Sequence, residues 1–196
     1  MSRLQHWAPA AIALGLCATA QAGSVAIEGT RSNISAGGIP NGRCAPAITV
    51  LFSPGVFMAE GSSNLGNFQY TASHCIAAPP PGSYFDGQFE WTFADGTVHG
   101  THGGTLSVGA TPGVFDVSEQ MVFTGGTGRY AGASGYANAI GTLQFGMHQG
   151  QPASFGNVAF SGELIAAAVP EPASGLMMAV ALGAAGLRAA RRRLRD

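Results

Sequence analysis

The sequence predicts an all-β fold: seven or eight short antiparallel strands forming a small β-barrel or a sandwich, with a different kind of segment at each end. Three observations carry this. Glycine and proline are abundant, 30 and 11 of 196 residues, too many breakers for a helical bundle. Apolar residues still make up 46% of the chain, so composition does not place it among disordered proteins. Between the ends, apolar and polar residues alternate with the period of two of a half-buried strand.

The elements follow in chain order. Arg3, an apolar run over residues 7–18 and the small-x-small triplet Ala20-Gln21-Ala22 read as a secretory signal peptide over residues 1–22, cut by signal peptidase after Ala22. Cys17 lies inside it as an ordinary apolar residue, because Leu16 before it is too large for lipoprotein processing. Residues 23–168 form the exported domain. It carries three arginines, Arg31, Arg43 and Arg129, against eight acidic side chains, and the whole chain has no lysine. That acidic balance argues against binding nucleic acid or anionic lipid.

Within this domain the clearest strand places Phe85, Phe89, Trp91 and Phe93 on one face and Asp86, Gln88, Glu90 and Thr92 on the other. Asp95-Gly96 then signals a hairpin into residues 97–102. Phe115, Val117, Met121 and Phe123 repeat the alternation. Phe68, Tyr70, Ala72 and Ile76 give another strand, ended by Pro79-Pro80-Pro81. Residues 25–30, 48–52, 140–145 and 157–165 are weaker strands.

Cys44 and Cys75 are the cysteines left after signal removal. In an oxidising compartment they are expected to form a disulfide closing a loop of about 30 residues, worth about 3–4 kcal/mol. Two buried thiols are the alternative. The stretch Thr124-Gly-Gly-Thr-Gly-Arg-Tyr-Ala-Gly-Ala-Ser-Gly135 lacks the strand, helix and Lys-Ser/Thr context of a phosphate loop, so it reads as a tight turn between strands.

Glu119 falls on the apolar face of its strand and would point inward. Its expected partner is Arg129, past the turn, in an interior ion pair. A bulge exposing Glu119, or a ligand-binding or acid–base role, are the alternatives. His99 and His102 are three apart, so a strand sends them to opposite faces and they cannot share a metal. His74 and His148 add no ligand spacing, so no metal or cofactor is expected. No catalytic residues are assigned. Asn33-Ile-Ser35 is a formal glycosylation sequon to which no role is given.

At the C-terminus, Pro170-Glu171-Pro172 precedes an apolar run over residues 173–187 and five arginines in the last nine positions. The run is short of the roughly 20 residues that span a bilayer. Ala189 and Ala190 extend it, and arginine stems can snorkel to the interface. A membrane helix with its arginines in the cytoplasm and the body outside is expected. Residues 169–196 resemble the PEP-CTERM sorting signal of Gram-negative bacteria that make extracellular polysaccharide. The resemblance implies that Pro170, Glu171 and Pro172 are a recognition motif for a membrane-embedded exosortase, which removes the tail. The mature protein would then reside at the cell surface or outside it, with extracellular polysaccharide as a candidate partner.

Residues 85–164 carry a second resemblance. The Gly-rich stretch preceded by Glu119-Gln-Met-Val-Phe123, with Gly100-Thr-His-Gly-Gly-Thr-Leu106 and Phe160-Ser-Gly-Glu-Leu164, is similar to the allene oxide cyclase barrel-like group. This implies an eight-stranded antiparallel barrel, also seen in dirigent-type proteins. It does not imply the cyclase reaction, and none of that enzyme's catalytic residues maps here.

Three readings of function follow. The first is a non-enzymatic surface or matrix barrel. The second is a binding barrel whose interior, lined by Phe89, Trp91, Phe93, Phe115, Val117 and Phe123, holds a small hydrophobic ligand. The third is an isomerase or cyclase by analogy of fold. The first is the leading expectation, and an interior cavity would favour the other two.

Overall fold

In the computed structural model the described residues are 23–35, 38–39, 42–53 and 57–166. The expected signal peptide, with Ala20 and Ala22, lies outside them, as do Pro170, Glu171, Pro172 and the C-terminal helix. Among the described residues no helix is long and apolar enough to cross a membrane.

Among the described residues nine strands build one antiparallel sheet: β1 (Gly23–Ser35), β2 (Ile48–Phe52), β3 (Ala59–Ser63), β4 (Gly66–Ile76), β5 (Gly82–Phe93), β6 (Gly96–Val108), β7 (Val114–Gly126), β8 (Ser134–His148) and β9 (Gln151–Ala166). The order is β2-β4-β3-β1-β9-β8-β7-β6-β5, and a further ladder between β4 and β5 closes the ring. β3 pairs with residues 66–69 of β4 and β2 with residues 72–76, both on the edge away from β5. The ring therefore has eight positions, with β2 and β3 sharing one. Closure leaves the long strands without free edges.

Side chains divide the interior into two halves. Toward the end where β1 begins, aromatic rings fill the barrel. Trp91, with no exposed surface, stacks on Phe68 at 4.6 Å and packs against Phe160 at 4.9 Å and Phe123 at 5.6 Å. Small residues make room opposite them. Ala137 and Ala139 of β8 face inward and are buried, and a Cβ at Gly61 would meet the Phe68 ring at 2.2 Å. Such alternation of large and small residues fills small barrels. Tyr130, on the 3-10 turn Gly128–Tyr130, closes this end against Phe93 at 5.0 Å.

That turn is the Gly-rich stretch of the sequence. Gly128 has φ +58, and a Cβ there would sit 2.3 Å from the Asp95 carbonyl of the β5–β6 turn. The stretch serves as a connector docked on a hairpin.

Phe85 departs from the expected pattern. It is 47% exposed, while its neighbour Tyr84 is buried. The register of β5 shifts between Tyr84 and Gly87, where Asp86 has φ +50. A bulge inserts a residue and reverses the facing beyond it. β4 carries a facing irregularity between Ser73 and Cys75. Arg43 fastens both. It donates to Ser73 Oγ and to the Ser73 carbonyl, each at 3.0 Å, and to the Asp86 carboxylate at 2.7 Å. The adjoining Cys44 is disulfide-bonded to Cys75, across a sequence separation of 31.

Candidate functional site

The other half of the barrel is hollow. A cavity of about 360 Å³ opens at the end where β1, β6 and β8 finish and β7 and β9 begin. Its walls are apolar, with Val50, Phe52, Ile76, Leu106, Leu143 and Val158 among them. Phe145, 52% exposed, lines the cavity from β8.

The charged groups of the cavity centre on Glu119. β7 alternates Val117, Glu119, Met121 and Phe123 inward, so the carboxylate enters the interior by strand period alone. Arg31 arrives from β1, two residues before the buried Asn33, and its Nη2 donates to Glu119 Oε2. The Tyr84 hydroxyl donates to the same oxygen at 2.9 Å. His102 Nδ1 lies 3.1 Å from Oε1. The Arg31 and Glu119 side chains are 7% and 4% exposed.

Burial by itself would raise the Glu119 pKa, but Arg31, His102 and Tyr84 outweigh it and hold the carboxyl at about 2. The group is an anion at neutral pH, so His102 Nδ1 is the donor in their contact. Burial and the neighbouring Glu119 push the Tyr84 hydroxyl upward, so it stays a phenol and donates. His74 packs on Tyr84 at 4.6 Å and on His102 at 5.5 Å. Burial first, then His102, lowers it to about 3, so it is neutral.

Two glycines create the space for this cluster. A Cβ at Gly104 would lie 2.5 Å from the Tyr84 hydroxyl, and one at Gly87 would lie 2.2 Å from His102 Cδ2. The bulge at Asp86 turns Tyr84 inward to reach the carboxylate.

The expected partner of Glu119 is corrected here. Arg129 is exposed and pairs with Asp95 at 3.4 Å. Glu119 lies seven residues before the end of β7, and at about 3.3 Å per strand residue that separates it from the turn by roughly 20 Å. A strand cannot fold back to bring Arg129 inside. Arg31 is distant in sequence and adjacent through the β1–β9–β8–β7 arc of the ring.

The expected cavity lining is corrected as well. Phe89, Trp91, Phe93 and Phe123 belong to the packed core and do not line the cavity; Val117 does, and Phe115 is half-buried. His99 is exposed and His102 is buried, on opposite faces of β6. Among the described residues no group of three His, Cys, Asp or Glu side chains could hold a metal ion. Sequence reasoning missed Arg31, Tyr84, His74 and His102 as members of the site. The one available signal was Arg31, which shares a period-two face with Ile27.

Comparison with known proteins adds a sorting motif. Residues 168–193 match the PEP-CTERM protein-sorting motif. The chain thus carries the sorting signal, and the match supports export and processing by an exosortase. The match spans the tail alone. No curated protein matches the chain. Two solved structures are similar in fold. The pterocarpan synthase dirigent protein PsPTS1 shares 11% identity over 74% of this chain and 96% of its own, with a TM-score of 0.43. The pterocarpan synthase dirigent protein GePTS1 shares 10% over 85% and 99%, with a TM-score of 0.44. No residue, activity or substrate passes from them to this chain.

Proposed function

We propose that this chain is an exported, exosortase-sorted barrel of the cell surface or extracellular matrix that binds a small, mainly apolar molecule in its open half. The observation that carries the reading is the cavity itself, about 360 Å³ with mainly apolar walls, the buried cluster around Glu119 and a buried Ser35–Ser154 hydroxyl pair. Ligand sites are typically of this kind: concave, mostly apolar, with a few fixed polar groups. The cavity supports the binding alternative while keeping the expected surface or matrix barrel.

Binding is favoured over catalysis by the state of Glu119. Both carboxylate oxygens accept hydrogen bonds, three in all, and the group is held far below neutral pH. A general base works best with a pKa near the working pH. A carboxylate so tightly held serves as an anchor for Arg31, Tyr84 and His102.

Native mass spectrometry of the protein purified from its own producing cells tests the reading. The expected spectrum shows a body without its C-terminal arginines, oxidised at Cys44–Cys75, carrying a reproducible adduct of a few hundred daltons. A body free of any adduct would return the chain to the plain surface barrel. A mature form that keeps its arginines would remove the processing.

A further inference from the structure

We infer that the cavity takes an uncharged molecule, an apolar body with a hydroxyl or carbonyl head, and rejects the matching carboxylate. This rests on the binding reading above and specifies the ligand for the same site.

The argument starts from charge. Arg31 and Glu119 are the cation and the anion of the cavity lining, and they touch each other. Each neutralises the other, so neither has charge to spare for a ligand. A carboxylate brought into the cavity would lie near Glu119 and would lose its hydration without gaining a counter-ion. An ammonium would compete with Arg31 for the one carboxylate and leave a surplus positive charge. A neutral head avoids both costs.

Hydrogen bonding points the same way. Three buried polar atoms of lining residues lack a hydrogen bond of normal geometry: His102 Nε2, His74 Nδ1 and Arg31 Nε, the last on a side chain that otherwise interacts with Tyr70. Arg31 Nε is a donor only. His102 uses Nδ1 to donate to Glu119, so in the neutral ring Nε2 is an acceptor. A hydroxyl is both donor and acceptor and can answer either; a carbonyl can answer the arginine. The walls supply the rest of the selection, since Val50, Phe52, Leu106 and Leu143 offer only apolar contact.

The test compares two probes of one chain length, 1-decanol and decanoate, by titration calorimetry on the full chain at pH 8. Decanol is expected to bind, and decanoate to bind at least tenfold more weakly. In Glu119→Gln the counter-ion of Arg31 is lost, and decanoate should gain at least tenfold relative to decanol. Decanoate binding as tightly as decanol to the unaltered protein overturns the inference and leaves the binding reading standing. Should Glu119→Gln fail to fold, the comparison on the unaltered protein still decides. Binding of neither probe also overturns the inference; the adduct in the native mass spectrum then decides whether the binding reading falls with it.

Discussion

Arg31 is the side chain on which the cavity floor depends. Removing one member of a buried ion pair leaves the other charged and unpaired, which typically costs 3–5 kcal/mol. Arg31→Met is therefore expected to lower stability by about that amount, read from denaturant midpoints. Arg129→Ala, which breaks only the exposed contact with Asp95, should change it by under about 1 kcal/mol. Equal losses from the two would contradict the assignment of Arg31 as the interior partner. The same cluster sets a pH dependence. His74 faces His102 from β6, Glu119 from β7, Tyr84 from β5, and the arginines Arg31 and Arg43. Its pKa falls from 6.5 unfolded to about 3 folded, so the unfolded chain binds the extra proton as pH drops and stability declines from pH 6.5 downward. Glu119, lowered from 4.5 to about 2, adds a second decline below pH 4.5. Melting temperatures should fall in that order, and His74→Gln should flatten the segment between pH 6.5 and 4.5. An unchanged slope in that variant would assign the first decline elsewhere.

At the scale of single elements, the strands readable from the sequence were those with uninterrupted alternation. β7 and the second half of β5 keep period two throughout, and their inward residues are the expected ones. β5 misleads at its start because a bulge is a backbone event: Asp86 is an ordinary residue, and only its positive φ reverses Phe85 and Tyr84. The β2–β3 position is divided between two short strands: β2 coincides with the expected strand over residues 48–52, whereas β3, with the sequence AEGSS, carries no apolar alternation by which to identify it. The Glu119 site was half legible. Glu119 itself could be placed inside by period, whereas its partner depends on which strands meet across the ring. The bulged pair of strands is also where the disulfide acts. Reduction of Cys44–Cys75 frees a loop of 31 residues and should cost about 3–4 kcal/mol. Arg43 continues to hold Asp86 and Ser73 after reduction, so the barrel is expected to remain folded with a lower midpoint. Collapse of the near-ultraviolet circular dichroism on reduction would show instead that the staple is indispensable.

For the whole molecule, the division into a packed half and a hollow half has a measurable signature. Phe160→Ala removes a ring enclosed by Phe68 and Trp91 and should cost about 3–5 kcal/mol. Leu143→Ala truncates a half-buried side chain that already borders the cavity, and its cost should be about 1 kcal/mol or less. Comparable losses at the two positions would mean that the open half is packed as tightly as the closed one. The two halves divide the work: the aromatic half supplies cohesion, and the open half carries the buried polar cluster around Glu119.

The seam where the chain meets itself has a consequence for maturation. Gly23 pairs with Ala166, so β1 lies along β9 over its whole length, the first residue of β1 against the last of β9. The expected cut after Ala22 and the sorting motif starting at residue 168 both fall beyond the final rung of that ladder. Neither trimming event has to unzip a strand. The ring would equally survive being spliced shut at this seam and reopened at the tight β8–β9 reversal around Gln149 and Gly150, because no strand's place in the circle depends on which one is synthesised first.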